Sequence, residues 1–372
     1  MLDTVKTNVE LGANGLNLTF PGGTTSYFNY FWLRDNCPSS FDAQTRERTF
    51  DILAEPEAPT PEKATIEGQE LVIIWNNGSH VTRFDLDYLA PYGRGEKRHD
   101  PADLKRVLWL GDHYDKMARF SQPELVASKE TRAKWAKAML EEGVAIITDM
   151  PDTDAALLDT AGLAGTPRPT FFGPSFEVKL HINPINLAYT AKALELHTDV
   201  PAEELAPGVQ YLHCRRNSVD GGYSIFMDGA AAAEDFRISN PEDFKILSEV
   251  DIPFFKEHDD HDMRAIQRVI ELDEHGAVSG LSYSQHLLDV IDLDQKFLDS
   301  YYPAFFRFGK ALQNPKYVMR FRLNAGECIV FDNHRILHGR EAFTAESGER
   351  HLRGTYTDRG EMRSLYRVST RG

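Results

Sequence analysis

After residue 208 the chain breaks into short apolar runs of strand length: "VQYLHC", "YSIFMD", "IPFFKE", "YVMRFRL", "ECIVFD" and "LRGTYTD". Helical patterns at about 229–249 and 294–312 interrupt them. Many short strands with long insertions predict a β-sandwich or jelly roll rather than alternating βαβ units. Upstream, "SKETRAKWAKAMLEEG" (128–143) reads as a helix ended by glycine, and "VAIITDM" as a buried strand. Neither G-x-G-x-x-G nor a P-loop occurs, so nucleotide binding by those devices is not indicated. The fold class expected is α+β, mainly β, with a β-sandwich or jelly-roll domain carrying helical insertions.

At 372 residues the chain exceeds the usual single-domain size, which predicts one large domain and a small one. The first hundred residues read as the small β-rich unit. "LVIIWNNGSHVTRF" (71–84) places two apolar runs around Asn76-Asn77-Gly78, a hairpin signal. Proline-rich "AEPEAPTPEKA" (54–64) reads as a loop, and "APYGRGEKRHDPAD" (90–103) as the linker. The expected domains are therefore 1–100 and 101–372, with no internal repeat.

A formal charge of −16 argues against a phosphate-backbone partner, which needs clustered Lys and Arg; it suits cationic ligands, although acidic surfaces also serve solubility alone. No run approaches the ~20 apolar residues of a membrane span, and "MLDTVKTNVELG" lacks a signal peptide's apolar region. Three distant cysteines without C-x-x-C fit reduced thiols, so a cytoplasmic location is expected.

His-x-Asp occurs at His113-Tyr114-Asp115, His197-Thr198-Asp199 and His258-Asp259-Asp260. A mononuclear iron(II) oxygenase needs two imidazoles and a carboxylate on one face, leaving three positions for co-substrate and dioxygen. Residues i and i+2 leaving a strand project the same way, so His-x-Asp supplies two ligands. The third must come from afar, and "GECIVFDNHRILHGR" (326–340) offers His334 and His338 after an apolar strand. Arg350, twelve residues beyond His338, is placed to pair bidentately with a dicarboxylate. That register singles out His197 and Asp199. His113 in "LGDHYDKMA" reads as a helix-surface residue and His258 in "KEHDDHDMR" as part of a solvated loop.

"NLAYTAKALELHTDVPAEELAPGVQYLHC" and "VFDNHRILHGR…RHLRGTYTD" resemble the γ-butyrobetaine hydroxylase group of Fe(II)/2-oxoglutarate dioxygenases. "YFWLRDNCPSS" and "LVIIWNNGSHVTRFDLDYL" resemble that group's small N-terminal domain. The resemblance implies a distorted double-stranded β-helix, homodimers, and the cofactor set Fe(II), 2-oxoglutarate and O2. It makes His197, Asp199 and His338 the iron ligands and Arg350 the partner of 2-oxoglutarate's far carboxylate, with Leu212 beside that co-substrate. It also implies an aromatic cage for a trimethylammonium group at Phe172, Phe176, Tyr189 and Tyr356, with Val200 at a further cage-lining position usually Tyr.

Two departures stand out. Of the four zinc-binding positions in the animal N-terminal domain, Cys37 and His80 match while Ser39 and Asp42 replace cysteines, so zinc is not expected there. At the substrate's anionic end Asn186 matches, but "LSYSQHLLD" (281–289) brings Ser282, Ser284, Gln285 and His286 where asparagine and arginine are usual. Those altered donors favour 2-(trimethylamino)ethylphosphonate as substrate, hydroxylated next to phosphorus. The alternatives are γ-butyrobetaine, a non-catalytic sensor of quaternary amines or 2-oxoglutarate, and a metal-dependent hydrolase.

Overall fold

The computed structural model describes residues 7–78, 80–180 and 187–371. The chain divides into two compact units, Met1–Asp100 and Pro101–Gly372.

In the first unit, β1 (Asn8–Leu11), β2 (Gly15–Thr19) and β3 (Thr25–Asn29) form one antiparallel sheet. Helix α1 (Tyr30–Asp35) follows, capped by Asn29, whose side chain accepts from the Trp32 amide at 3.2 Å. A second antiparallel sheet comprises β4 (Pro61–Glu67), β5 (Glu70–Trp75) and β6 (His80–Asp85), before α2 (Leu86–Gly93). Alternate residues Leu71, Ile73 and Trp75 of β5 face a core shared with Leu16, Leu18, Phe28 and Phe84. The buried indole of Trp75 donates to Thr82 Oγ1 at 2.8 Å, so its one polar atom is satisfied. The hairpin falls where Asn76-Asn77-Gly78 places it. Two boundaries differ from expectation. Residues 61–64 are strand, because Pro61 can open an edge strand without donating to the ladder. Residues 90–93 are the last turn of α2, whose Asp85 cap sets the helix running through Pro91.

The second unit begins with β7 (Arg119–Ser121), α3 (Gln122–Ala127), α4 (Lys129–Glu141), β8 (Val144–Thr148), α5 (Ala156–Gly162), β9 (Phe176–Val178) and β10 (Leu194–His197). It continues with β11 (Val209–Asn217), β12 (Ser224–Asp228), α6 (Gly229–Ser239), α7 (Pro241–Glu249), β13 (Asp251–His258), β14 (His261–Arg268), β15 (Ile270–Leu272) and β16 (Val278–Leu281). Then come α8 (Leu298–Leu312), β17 (Met319–Phe321), β18 (Cys328–Asp332), β19 (Ile336–Arg340), β20 (Arg350–Thr357) and α9 (Arg359–Thr370). The six short runs after residue 208 all contain strands, and the helical stretch at 229–249 is divided at Asn240-Pro241 because proline cannot continue a helix.

Two sheets form the sandwich, one ordered β7-β8-β18-β11-β20-β9 and the other β10-β19-β12-β17. Their facing side chains make one core, including Val144, Ile146, Phe226, Phe321, Ile329 and Phe331. The intervening residues Ala145, Ile147 and Val330 point outward beneath Trp135 and Met139 of α4 and Met362 of α9. Burial on both faces is why β8 and β18 read as continuous apolar runs rather than alternating ones. A third core joins α6, α7 and α8 to the strands of the 250–281 insertion. Among the described residues no helix is long and apolar enough to cross a membrane.

Candidate metal centre

Strands β10 and β19 are antiparallel neighbours, and their register sets His197 directly opposite His338. Cross-strand partners share a face, so two imidazoles far apart in sequence meet with ring centroids 4.4 Å apart. Asp199 follows the end of β10. Its backbone is clamped by Asn333, which accepts from the Asp199 N–H at 2.7 Å and donates to its carbonyl at 3.0 Å. The next residue, Val200, has φ of 53°, a left-handed conformation costly for a β-branched side chain and found where a site dictates the chain path.

The ligand atoms of His197, Asp199 and His338 lie within 4.8 Å of one another, the sole such group of three among the described residues. Glu195 O accepts from His197 Nδ1 at 2.8 Å, which turns Nε2 toward Asp199 Oδ1, 3.2 Å away. His338 Nε2 lies 3.7 Å from the same oxygen. Burial, then the neighbouring His197, push His338 down to about 3, so its ring is neutral and its lone pair available. Burial pushes the Asp199 carboxyl up, but His338, His197 and the Tyr356 hydroxyl together outweigh it and hold the group well below the usual carboxylate range. Tyr356 Oη donates to Asp199 Oδ2 at 2.7 Å. Burial and Asp199 itself keep that phenol protonated. Two imidazoles and a carboxylate on one face fit a divalent iron with open positions.

The triad opens into a cavity of about 360 Å³ that Phe171, Phe172, Phe176, Tyr189, Val200, Leu212, Arg350 and Tyr356 also line. Phe172 and Phe176 have centroids 5.3 Å apart, as do Phe176 and Tyr356. Phe176 can approach because its strand partner on β20 is Gly354: a Cβ there would come within 2.2 Å of the ring. Arg350 is buried, and no carboxylate lies within ion-pair distance among the described residues. Its Nε has no hydrogen-bond partner. Burial and the nearby Arg340 push it down to about 9, still charged at neutral pH. A buried guanidinium facing a cavity in this state fits an anionic ligand.

Other candidates fall elsewhere. Ser284 is buried with its hydroxyl 3.4 Å from His286 Nδ1, and Gln285 is exposed. The 3-10 turn at 285–287 carries His286 and Leu287 into the lining instead, because a turn does not keep strand alternation. Asn186 lies outside the described residues. His113 is buried rather than on a surface, stacked on Trp109 and 3.1 Å from Glu142 Oε2. His258 ends strand β13 and pairs with Asp260. Cys37 lies 3.1 Å from Ser39 Oγ and 3.3 Å from His80 Nε2, while Asp42 caps a turn through the Gln44 and Thr45 amides. Arg340, not expected, donates to the carbonyls of Ala188, Thr190 and Lys192 at 3.2, 2.7 and 2.7 Å. Its position two residues after His338 on β19 was the available signal, since strand alternation gives both the same face.

Residues 110–356 match the family described as "Taurine catabolism dioxygenase TauD, TfdA family", and residues 8–90 match "Gamma-butyrobetaine hydroxylase-like, N-terminal". A gamma-butyrobetaine dioxygenase of Pseudomonas sp. (strain AK-1) is 32% identical over 365 residues, covering 96% of this chain and 94% of that protein. The chain belongs to the γ-butyrobetaine hydroxylase-like Fe(II)/2-oxoglutarate dioxygenases. The human gamma-butyrobetaine dioxygenase is 28% identical, covering 96% of this chain and 95% of its own. In fold the dioxygenase resembles the crystal structure of AAD-2 in complex with Mn(II) and N-oxalylglycine, with a TM-score of 0.51 at 14% identity, over 62% of this chain and 90% of the other.

Proposed function

We propose that this dioxygenase hydroxylates a small trimethylammonium carboxylate of the γ-butyrobetaine type, through His197, Asp199 and His338 as iron ligands. The carrying observation is one cavity that joins this triad to an aromatic wall and to a buried, carboxylate-free arginine. The net reaction is R–H + 2-oxoglutarate + O2 → R–OH + succinate + CO2. Bound iron with 2-oxoglutarate and dioxygen supplies the oxidising chemistry. The residues do the positioning. Arg350 offers a fork to the far carboxylate of 2-oxoglutarate, beside Leu212. Phe172, Phe176, Tyr189 and Tyr356 present ring faces to a weakly hydrated cation. Tyr356 also holds Asp199 in place by its hydroxyl, so cage and metal ligand are one hydrogen-bonded unit.

The phosphonate expectation gives way to γ-butyrobetaine here. Three of the relatives, each covering 96% of this chain, are gamma-butyrobetaine dioxygenases. Of the donors expected to converge on a tetrahedral anion, Ser284 is buried against His286 and Gln285 is exposed, and neither joins the cavity lining that His286 enters. Side-by-side succinate assays with iron and 2-oxoglutarate test this, with mass spectrometry for the hydroxylated product. A higher kcat/KM for γ-butyrobetaine than for 2-(trimethylamino)ethylphosphonate is expected. Succinate formation indifferent to both compounds would sink the reading, and no oxygen uptake at all would favour a sensor.

A further inference from the structure

One end of the Gln210 amide is unanswered. The residue lies on β11, is 2% exposed and lines the cavity, and its Oε1 is buried without a hydrogen-bond partner. Burying a polar end in this way is costly, so its partner is to be found in what the cavity receives. Register fixes its surroundings. Gln210 pairs with Phe331 of β18 on one side and with Tyr356 of β20 on the other. Both neighbours touch metal ligands: the Phe331 ring lies 4.7 Å from that of His338, and Tyr356 Oη donates to Asp199 Oδ2. Leu212, two residues on, shares the face of Gln210 and also lines the cavity. Arg350 opens β20 while Tyr356 stands near its end, so Arg350 and Gln210 belong to opposite ends of that wall.

What reaches the metal end decides which ligand the amide serves. A trimethylammonium head beside Tyr356 carries neither an N–H nor a lone pair, so it cannot hydrogen-bond to either end of an amide. 2-Oxoglutarate can, because it carries a carboxylate at each end. Arg350 is placed for the far one, and the keto acid at the other end belongs to the metal. A primary amide holds its donor and acceptor on one planar group, and a half-turn about the last side-chain torsion exchanges them. With Oε1 tied to no protein group, that turn breaks no hydrogen bond of the oxygen. We propose that the Gln210 amide donates Nε2–H to the metal-side carboxylate of 2-oxoglutarate, and so orients the co-substrate at the iron. A neutral donor suits this place, since a cation beside the triad would repel the iron it must admit. The assignment is independent of which trimethylammonium compound is the substrate.

The test is an anaerobic titration of the iron-loaded protein with 2-oxoglutarate, read by the visible charge-transfer absorption of the keto acid on iron, which needs no turnover. Gln210→Leu removes both ends of the amide at similar volume and should raise the dissociation constant at least about tenfold, with iron content unchanged. Gln210→Asn keeps an amide on a shorter stem and should fall between the wild type and Gln210→Leu. The KM for the trimethylammonium substrate at saturating 2-oxoglutarate should stay within about twofold of the wild-type value. Should Gln210→Leu fail to fold, Gln210→Met carries the same comparison. An unchanged dissociation constant overturns the proposal, as does a rise in the substrate's KM without one in the 2-oxoglutarate dissociation constant. Loss of iron along with 2-oxoglutarate affinity would make Gln210 a support of the triad and overturn it too.

Discussion

Arg350 holds its charge in a buried place where no carboxylate lies within ion-pair distance among the described residues. Arg350→Ala should therefore raise the KM for 2-oxoglutarate at least tenfold, about 2–4 kcal/mol, with iron still bound. An unmoved KM would take Arg350 out of the site. His197→Ala and His338→Ala should each lose iron and turnover together, measured by metal analysis and succinate release. His258→Ala, far along the β13–β14 hairpin in a pair with Asp260, should lose neither. Residues of this kind were legible in the sequence because their chemistry is rare: a His-x-Asp, a distant histidine and a following arginine seldom fall together by chance. Asn333 and Arg340 were not, since both act on backbone groups, and the carbonyl or amide that a side chain reaches carries no mark in the sequence.

Strand β20 shows how an element, rather than a residue, shapes the aromatic wall of the cavity. Gly354 leaves space into which the Phe176 ring leans, so Gly354→Ala should displace that ring. The KM for the trimethylammonium substrate should rise several-fold while that for 2-oxoglutarate stays put; equal changes in both would point to general disruption of the sheet. Strand β11 predicts a pH effect. His213 is buried, its Nδ1 lacks a partner, and burial followed by the Arg215 charge pushes it down to about 4. The unfolded chain takes up this proton near pH 6.5 and the folded chain does not, so the unfolded state binds more protons between those values. Stability should fall as pH drops from about 6.5 toward 4, by up to about 3 kcal/mol from this group. His213→Met should flatten that part of the profile in denaturant titrations, and a slope identical to the wild type would discount it. The strands themselves were legible from their apolar runs. Their partners were not: that β10 lies against β19, or that the 285–287 turn exposes His286 rather than Ser284 to the cavity, follows from register and turn geometry that no local pattern encodes.

At the scale of the molecule, the two compact units each have a core of their own, the first built around Trp75 and the second around the facing sheets. Trp75→Ala removes one of the largest fully buried side chains and should cost the first unit about 3–5 kcal/mol. Hydrogen exchange should show lost protection in β5 and β6 while β11 and β18 keep theirs, and equal loss in both would show that the units unfold together. The Arg340 tether carries a further consequence. Tyr189 reaches the cavity on a segment whose carbonyls Arg340 of β19 holds through its side chain, while His197 and His338 sit on paired strands. Heredity can therefore treat the two halves of the site differently. Changes in the tethered segment alter what is recognised without shifting the register that assembles the metal ligands, so descendants of one oxidising centre can diverge in diet while inheriting its chemistry whole.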